Sequence, residues 1–323
     1  MNFCRNRFFG NSVPIVLSLT LISWAAAPAS ADPIVPGTGT RIAYDDMEDP
    51  SWSYELNLPK ASSNLDNQER QPGGQSANGK WYESSLRGEP DIVKRVPTPP
   101  GGLPGSQGSL MMRTLYSGTP TYRSNKFQQD DLVFNASLTT GGYISPSRTP
   151  NVVVRVYLPP FEQWEKRTGT SFGIRADVIG TFHKNNQAGS RGWFRRPPTT
   201  SVEPFWPGMF LQFNSKSDGQ NQEDSATILV RANEYGQDIP AKQITQTGWW
   251  TFGMTFSPDG MVHYYAKPGV GKLTSADHLA STIPYGTRVE NFNTIFFNVV
   301  NQDDGRTWST EWIVDDPEIY VLY

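Results

Sequence analysis

The chain has 323 residues, a formal net charge of −3, 12% aromatic and 18% charged residues, and a single cysteine. This balance argues against a basic nucleic-acid-binding protein and against a disulfide-stapled scaffold. With Cys4 as the only thiol, it also excludes thiol nucleophiles and thiolate zinc sites beyond the first few residues.

The chain opens with Arg5 and Arg7, an apolar stretch from Val13 to Ala27, and Ala29-Ser30-Ala31 ahead of Asp32. This is the three-part pattern of a secretory signal peptide over residues 1–31, cleaved near Ala31, and it predicts a secreted or periplasmic protein. The rival reading is an uncleaved anchor. Pro14, Ser18, Thr20 and Ser23 interrupt the run, which falls short of the roughly 20 apolar residues that span a bilayer. Later apolar runs are shorter still, so no integral membrane span is expected in the mature chain. Residues 32–40 read as a Pro/Gly leader, and residues 41–323 as a single domain whose first strand starts at Arg41–Tyr44.

From 59 to 109 the composition turns to Gly, Pro, Ser, Asn and Gln. Pro97-Thr98-Pro99-Pro100 cannot be helix or central strand, because proline fixes φ and lacks the backbone donor. This segment is expected as a long irregular surface excursion, with Trp81, Tyr82 and Ile92 packing down in places. Too little chain precedes it to make it a linker between domains.

Beyond Ser109 the apolar period is two. Phe172, Ile174, Ala176 and Val178 alternate with Gly173, Arg175 and Asp177; Met209, Leu211 and Phe213 alternate with Phe210, Gln212 and Asn214; Trp250, Phe252, Met254 and Phe256 alternate with Trp249, Thr251, Gly253 and Thr255. Each run places one set on a buried face and the other on the opposite face. Ser257-Pro258-Asp259-Gly260 predicts a turn into a strand over Met261–Lys267. Val152–Leu158, Thr227–Ala232, Ile295–Val300 and Trp312–Tyr323 complete the strands, and only Pro160–Thr168 and Ser275–Ala280 carry helical signal. Many strands and very little helix predict an all-β antiparallel sandwich or barrel.

Tyr44-Asp45-Asp46-Met47-Glu48-Asp49 with Trp52 resembles the opening strand of concanavalin A-like lectin/glucanase jelly rolls, and Trp312–Val321 their closing strand. Trp249–Gly260 is similar to the paired strands of laminin G-like members. The whole resembles uncharacterised secreted bacterial proteins of this superfamily. The resemblance implies a jelly-roll sandwich with adjacent chain ends and a structural calcium, for which Asp45, Asp46 and Asp315 are the candidate ligands. Calcium takes six to eight oxygen ligands. The plainer reading leaves these acids as solvated or turn residues.

Glycosidases of the superfamily need two carboxylates about 5–5.5 Å apart for retention, and no strand here carries them at alternate positions. Lyases of the fold need a base and cationic or amide groups to neutralise a uronate carboxylate; Arg175, His263 and Tyr265 are the catalytic candidates, although the families' Gln-x-His spacing is absent. Recognition alone needs less: an aromatic ring beside polar groups. The leading expectation is a carbohydrate-binding protein for a polysaccharide or glycoconjugate, with Gln212, Asn214, His263 and Tyr265 on one concave sheet face and Trp193 and Trp206 at its rim. A polysaccharide lyase, then a glycoside hydrolase, and a structural or adhesion module of the cell envelope are the alternatives.

Overall fold

A computed structural model describes residues 33–62, 70–117, 123–184 and 199–323. The expected signal peptide over 1–31 and Trp193 lie outside the described residues. In chain order the strands are Thr40–Tyr44 (β1), Tyr54–Glu55 (β2), Gln75–Ser76 (β3), Trp81–Glu83 (β4), Ile92–Pro97 (β5), Gly108–Arg113 (β6), Gln128–Phe134 (β7), Asn151–Leu158 (β8), Gly169–Lys184 (β9), Thr199–Phe205 (β10), Gly208–Asn214 (β11), Ser225–Arg231 (β12), Asp238–Ile244 (β13), Gly248–Phe256 (β14), Val262–Pro268 (β15), His278–Thr282 (β16), Asn291–Asn301 (β17) and Trp312–Val321 (β18). Among the described residues the α-helical content is one turn, Ser137–Thr140, and no helix is long and apolar enough to cross a membrane.

The strands form two antiparallel sheets, the sandwich that the period-two alternation predicts. One has eight strands in the order β16-β15-β14-β8-β18-β6-β5, with β1 also on β18. The other has ten, in the order β13-β12-β11-β9-β17-β7-β4-β3-β2, with β10 continuing the edge of the long strand β9. The chain ends meet as the resemblance implies: Thr40 pairs with Val321 and Tyr44 with Glu318.

Burial follows the alternation. Phe172, Ile174, Ala176 and Val178 of β9, Met209, Leu211 and Phe213 of β11, and Trp250, Phe252, Met254 and Phe256 of β14 all face one core. Trp312 and Trp164 cross edge-on with ring centroids 4.8 Å apart, and Phe172 stacks on Trp312 at 4.9 Å, so rings from both sheets interlock. Aromatic pairs at these separations add about 0.5–1.5 kcal/mol beyond the area they bury.

The segment 59–109 departs from the expected excursion. It contributes β3 and β4 to one sheet and β5 to the other; Trp81 packs down as expected, fully buried against Phe134 and Phe297. Its prolines and glycines sit in the connections between short strands, where composition averaged over fifty residues conceals a two-residue β-period. The leader is also bound into the fold. Gly37 donates its N–H to Asn151 Oδ1 at 2.7 Å, and Ile34 C=O accepts from Thr255 at 2.7 Å. Residues 33–38 therefore lie across the outer face of the eight-stranded sheet.

Candidate functional site

Outward-facing positions of four adjacent strands in the ten-stranded sheet come together around Arg175. On β9, Arg175 and Asp177 alternate with the core residues. Phe296 of β17 lies opposite Arg175, and Asn298 opposite Gly173; Asp131 of β7 lies opposite Asn298, and Tyr82 of β4 opposite Val133. Arg175, Asp177, Phe296, Asp131 and Tyr82 line a cleft of about 400 Å³, walled by Tyr143, by Pro204 of β10 and by Trp206 from the β10–β11 connection.

Two glycines shape its floor. A Cβ on Gly208 would lie 2.7 Å from Arg175 Cγ, so the bare backbone of β11 is what lets the arginine stem lie across it. A Cβ on Gly173 would come within 2.6 Å of Asn298 Oδ1 and 3.1 Å of the Phe210 ring. Both contacts are closer than side chains tolerate, and glycine is the residue that permits such approach.

Arg175 is only 9% exposed. Its Nη2 donates to the Trp206 carbonyl at 3.0 Å, and its guanidinium carbon lies 5.3, 5.5 and 6.0 Å from the ring centres of Phe296, Phe210 and Trp206. Among the described residues no carboxylate lies within ion-pair distance of it, and its Nε has no hydrogen-bond partner. Burial, helped by the nearby charge of Arg231, pushes its pKa down to about 10 against the pull of Asp131. The charge persists at neutral pH in a low-dielectric setting, where an uncompensated ion is costly.

The acids beside it are engaged by amides. Asn298 Nδ2 and Gln129 Nε2 both donate to Asp131 Oδ1, at 2.6 and 2.9 Å, and the Asn298 Oδ1 left over has no partner. Burial raises the pKa of Asp131, with Arg175 opposing. Asp177 is raised by burial and is held by hydrogen bonds from Asn293, at 2.7 Å, and Trp206. Burial, then the charge of Asp177, raises the Tyr82 phenol, which stays protonated at neutral pH and serves as a donor. The cleft thus offers a buried cation, aromatic walls and phenol donors, with the unsatisfied Asn298 oxygen buried beneath its floor.

The predicted residues divide between the two sheets. Arg175 and Trp206 share the cleft. Gln212 and Asn214 occupy the same outer face on β11, joined by a 3.0 Å hydrogen bond, with Asn214 continuing to Ser225 and Thr227 on β12. His263 and Tyr265 do not join them: β15 belongs to the eight-stranded sheet, through β14 and β8. His263 is 6% exposed, with Nδ1 2.7 Å from Ser281 Oγ and Nε2 2.9 Å from Ser257 Oγ. Tyr265 is buried and donates to the Pro33 carbonyl of the leader. The expected common face for Gln212, Asn214, His263 and Tyr265 is therefore corrected. The alternation in β15 identifies an outward face but not which sheet carries it.

Asp45, Asp46 and Asp315, the calcium ligands the resemblance implies, each have partners within the chain. Asp45 is buried and accepts from Trp81 Nε1 at 2.8 Å, Asn78 Nδ2 at 3.2 Å and Lys80 Nζ at 3.4 Å. Asp46 caps the backbone of Glu48. Asp315 accepts from Ser106 Oγ at 2.9 Å. Among the described residues no group of three or more acidic, histidine or cysteine side chains is arranged to hold a metal ion. Tyr82, Gln129, Asp131 and Asn298 escaped the sequence reading. The available signal was a polar residue inside an apolar strand, Asn298 in Ile295–Val300 and the acid pair at the centre of β7.

No family profile matches the chain, and no curated protein matches it by sequence. Solved structures resemble it in fold. A carbohydrate esterase from the Shiga toxin-encoding bacteriophage phi24B is 8% identical with a TM-score of 0.43, over 84% of this chain and 100% of that one. An endo-β-1,4-glucuronan lyase from Trichoderma reesei is 12% identical with a TM-score of 0.36, over 87% and 95%. An alginate lyase from Pseudomonas aeruginosa is 12% identical with a TM-score of 0.36, over 72% and 86%.

Proposed function

We propose that the chain is an exported carbohydrate-binding protein whose cleft takes a carboxylate-bearing unit of an acidic polysaccharide. The observation that carries this reading is Arg175: a buried guanidinium lining the cleft, with one carbonyl and aromatic rings around it and no carboxylate partner among the described residues. A ligand carboxylate would complete its hydrogen bonds, and a charge-assisted pair in a desolvated site is among the stronger polar contacts. Trp206 and Tyr143 supply ring faces for the apolar side of a sugar, with the Tyr82 hydroxyl and the Gln129 amide, both in the cleft lining, as partners for its hydroxyl groups. Calorimetric titration with uronate oligosaccharides and their carboxyl-reduced counterparts tests it. Binding of the acidic set alone, weakening with salt, is expected; equal binding of both sets, or of neither, overturns it.

A second reading, cleavage of the same polysaccharide by β-elimination, is favoured by Tyr82 and Tyr143 sharing the cleft with Arg175. Elimination needs a group that neutralises the uronate carboxylate and groups that move protons beside it. Ultraviolet absorbance of the unsaturated product separates this from binding alone. Absence of absorbance across a panel of bound polyuronates rejects it.

A further inference from the structure

A second buried cation lies inside the sandwich, away from the cleft. Lys60 is fully buried, and so is Asp130 of β7. Lys60 Nζ is 2.8 Å from Asp130 Oδ2, 2.9 Å from Asp91 Oδ1 and 2.7 Å from the Tyr116 carbonyl. Asp130 Oδ2 also accepts from Thr114 Oγ1 at 2.9 Å. The second oxygen of Asp91 accepts from the backbone N–H groups of Leu115 and Tyr116, at 2.6 and 2.8 Å, which fixes that carboxylate against the amine.

We propose that Lys60 and Asp130 are joined by an amide bond that forms within the folded chain, with Asp91 as the proton carrier. An amine and a carboxyl held in contact in a dry interior approach the separation of about 3–3.5 Å between reacting atoms at which a bimolecular step becomes intramolecular. The Nζ–Cγ bond forms and one Cγ–O bond of Asp130 breaks. Of the three ammonium protons, one stays on the amide nitrogen and two leave with the departing oxygen as water. One of these crosses the hydrogen bond to Asp130, and the other is taken by Asp91 and returned to the leaving oxygen, so Asp91 is unchanged. Thr114 donates to the carboxyl as negative charge builds on its oxygen.

Burial pushes the Asp130 carboxyl up to about 8, against the pull of Lys60, which favours the crossing of an ammonium proton to it and so the electrophilic acid form. Lys60 is held above its ordinary value because Asp130 and Asp91 together outweigh its burial; the amine therefore needs a proton acceptor in contact, and Asp91 is one. The product replaces a desolvated ion pair, which is costly to hold in an interior, with a neutral group. The only cysteine is Cys4, so among the described residues no disulfide supplies this kind of tie.

Peptide mapping of the purified full chain tests it. Trypsin should fail to cut after Lys60 and should release residues 42–70 joined to residues 127–148, lighter by one water than the two linear peptides together. Lys60→Arg keeps a cation but removes the amine and should give the linear peptide 127–148 in full. Asp91→Asn keeps both reacting groups and should leave a substantial linear fraction. Recovery of linear, unmodified peptides from the wild-type chain at full yield overturns the proposal, and complete linkage in Asp91→Asn overturns the role of Asp91.

Discussion

Lys60 and Arg175 are both buried cations, and they are partnered in opposite ways. Lys60, between the sheets, has an acceptor for each of its three protons, two of them carboxylate oxygens. Arg175, on the outer face of the ten-stranded sheet, has one carbonyl and three aromatic rings, and an Nε with nothing to donate to. A desolvated charge whose partners come from the chain serves the chain's own architecture. A desolvated charge left short of partners is completed from outside. The same contrast separates the two sheets' outer faces: His263 and Tyr265 are tied to serines and to the leader, whereas Asn298 keeps an orphan oxygen.

The contrast makes its largest prediction at Lys60. Lys60→Met removes the ion pair and with it the amide that forms from it, and breaking the buried pair alone costs about 3–5 kcal/mol. Denaturant unfolding should show a loss of that size; a loss below about 1 kcal/mol, the level of an exposed pair, would place Lys60 with surface ions instead. Arg175→Ala should act in the reverse sense. Polyuronate affinity should fall about 10- to 100-fold, the equivalent of one hydrogen-bonded charge contact, while the melting temperature holds or rises because an uncompensated ion is gone. A drop in melting temperature without loss of affinity would erase the distinction between the two cations.

Asp315 extends the comparison to a buried anion. Burial and then the neighbouring Asp316 push its pKa up to about 7. The folded state therefore holds this proton at pH values where the unfolded chain, with an ordinary carboxyl near 3.9, has already released it. Stability from this group is present at acid pH and is lost as the pH rises through about 7. Asp315→Asn should flatten the decline in melting temperature between pH 5 and 8, by the equivalent of on the order of 1–2 kcal/mol. An unchanged slope would mean that Asp315 titrates normally. The smallest effect belongs to His263→Gln, which should leave polyuronate affinity unchanged within error, since the imidazole faces out from the other sheet; a measurable loss of affinity would move the site there.

What was legible in the sequence was local. Alternation at β9, β11 and β14 named the core residues correctly because a strand's side-chain period is fixed by its own backbone. The turn at Ser257–Gly260 was legible for the same reason: Gly260 holds φ at 77°, and a Cβ there would fall 2.6 Å from Arg288 Cβ. The site was legible only in part. Arg175 was identifiable as a cation on an outward position, but its neighbours Asp131, Asn298 and Tyr82 come from strands 40 or more residues away and are brought beside it by sheet order. His263 and Tyr265 failed for that reason, since pattern reports a face and not the sheet that carries it. Trp81 was legible as a residue that packs down, but the short strands around it were hidden inside a proline- and glycine-rich segment.

The position of β18 has a consequence for when the sheet can close. β18 is interior to the eight-stranded sheet: Val314 pairs with Val156 on one side and Leu110 on the other, and Val321 with Thr40. A chain that emerges amino end first cannot close this sheet until its final residues arrive, and pairings between such distant segments are slow to form even then. The sandwich locks only when β18 is in place between β8 and β6.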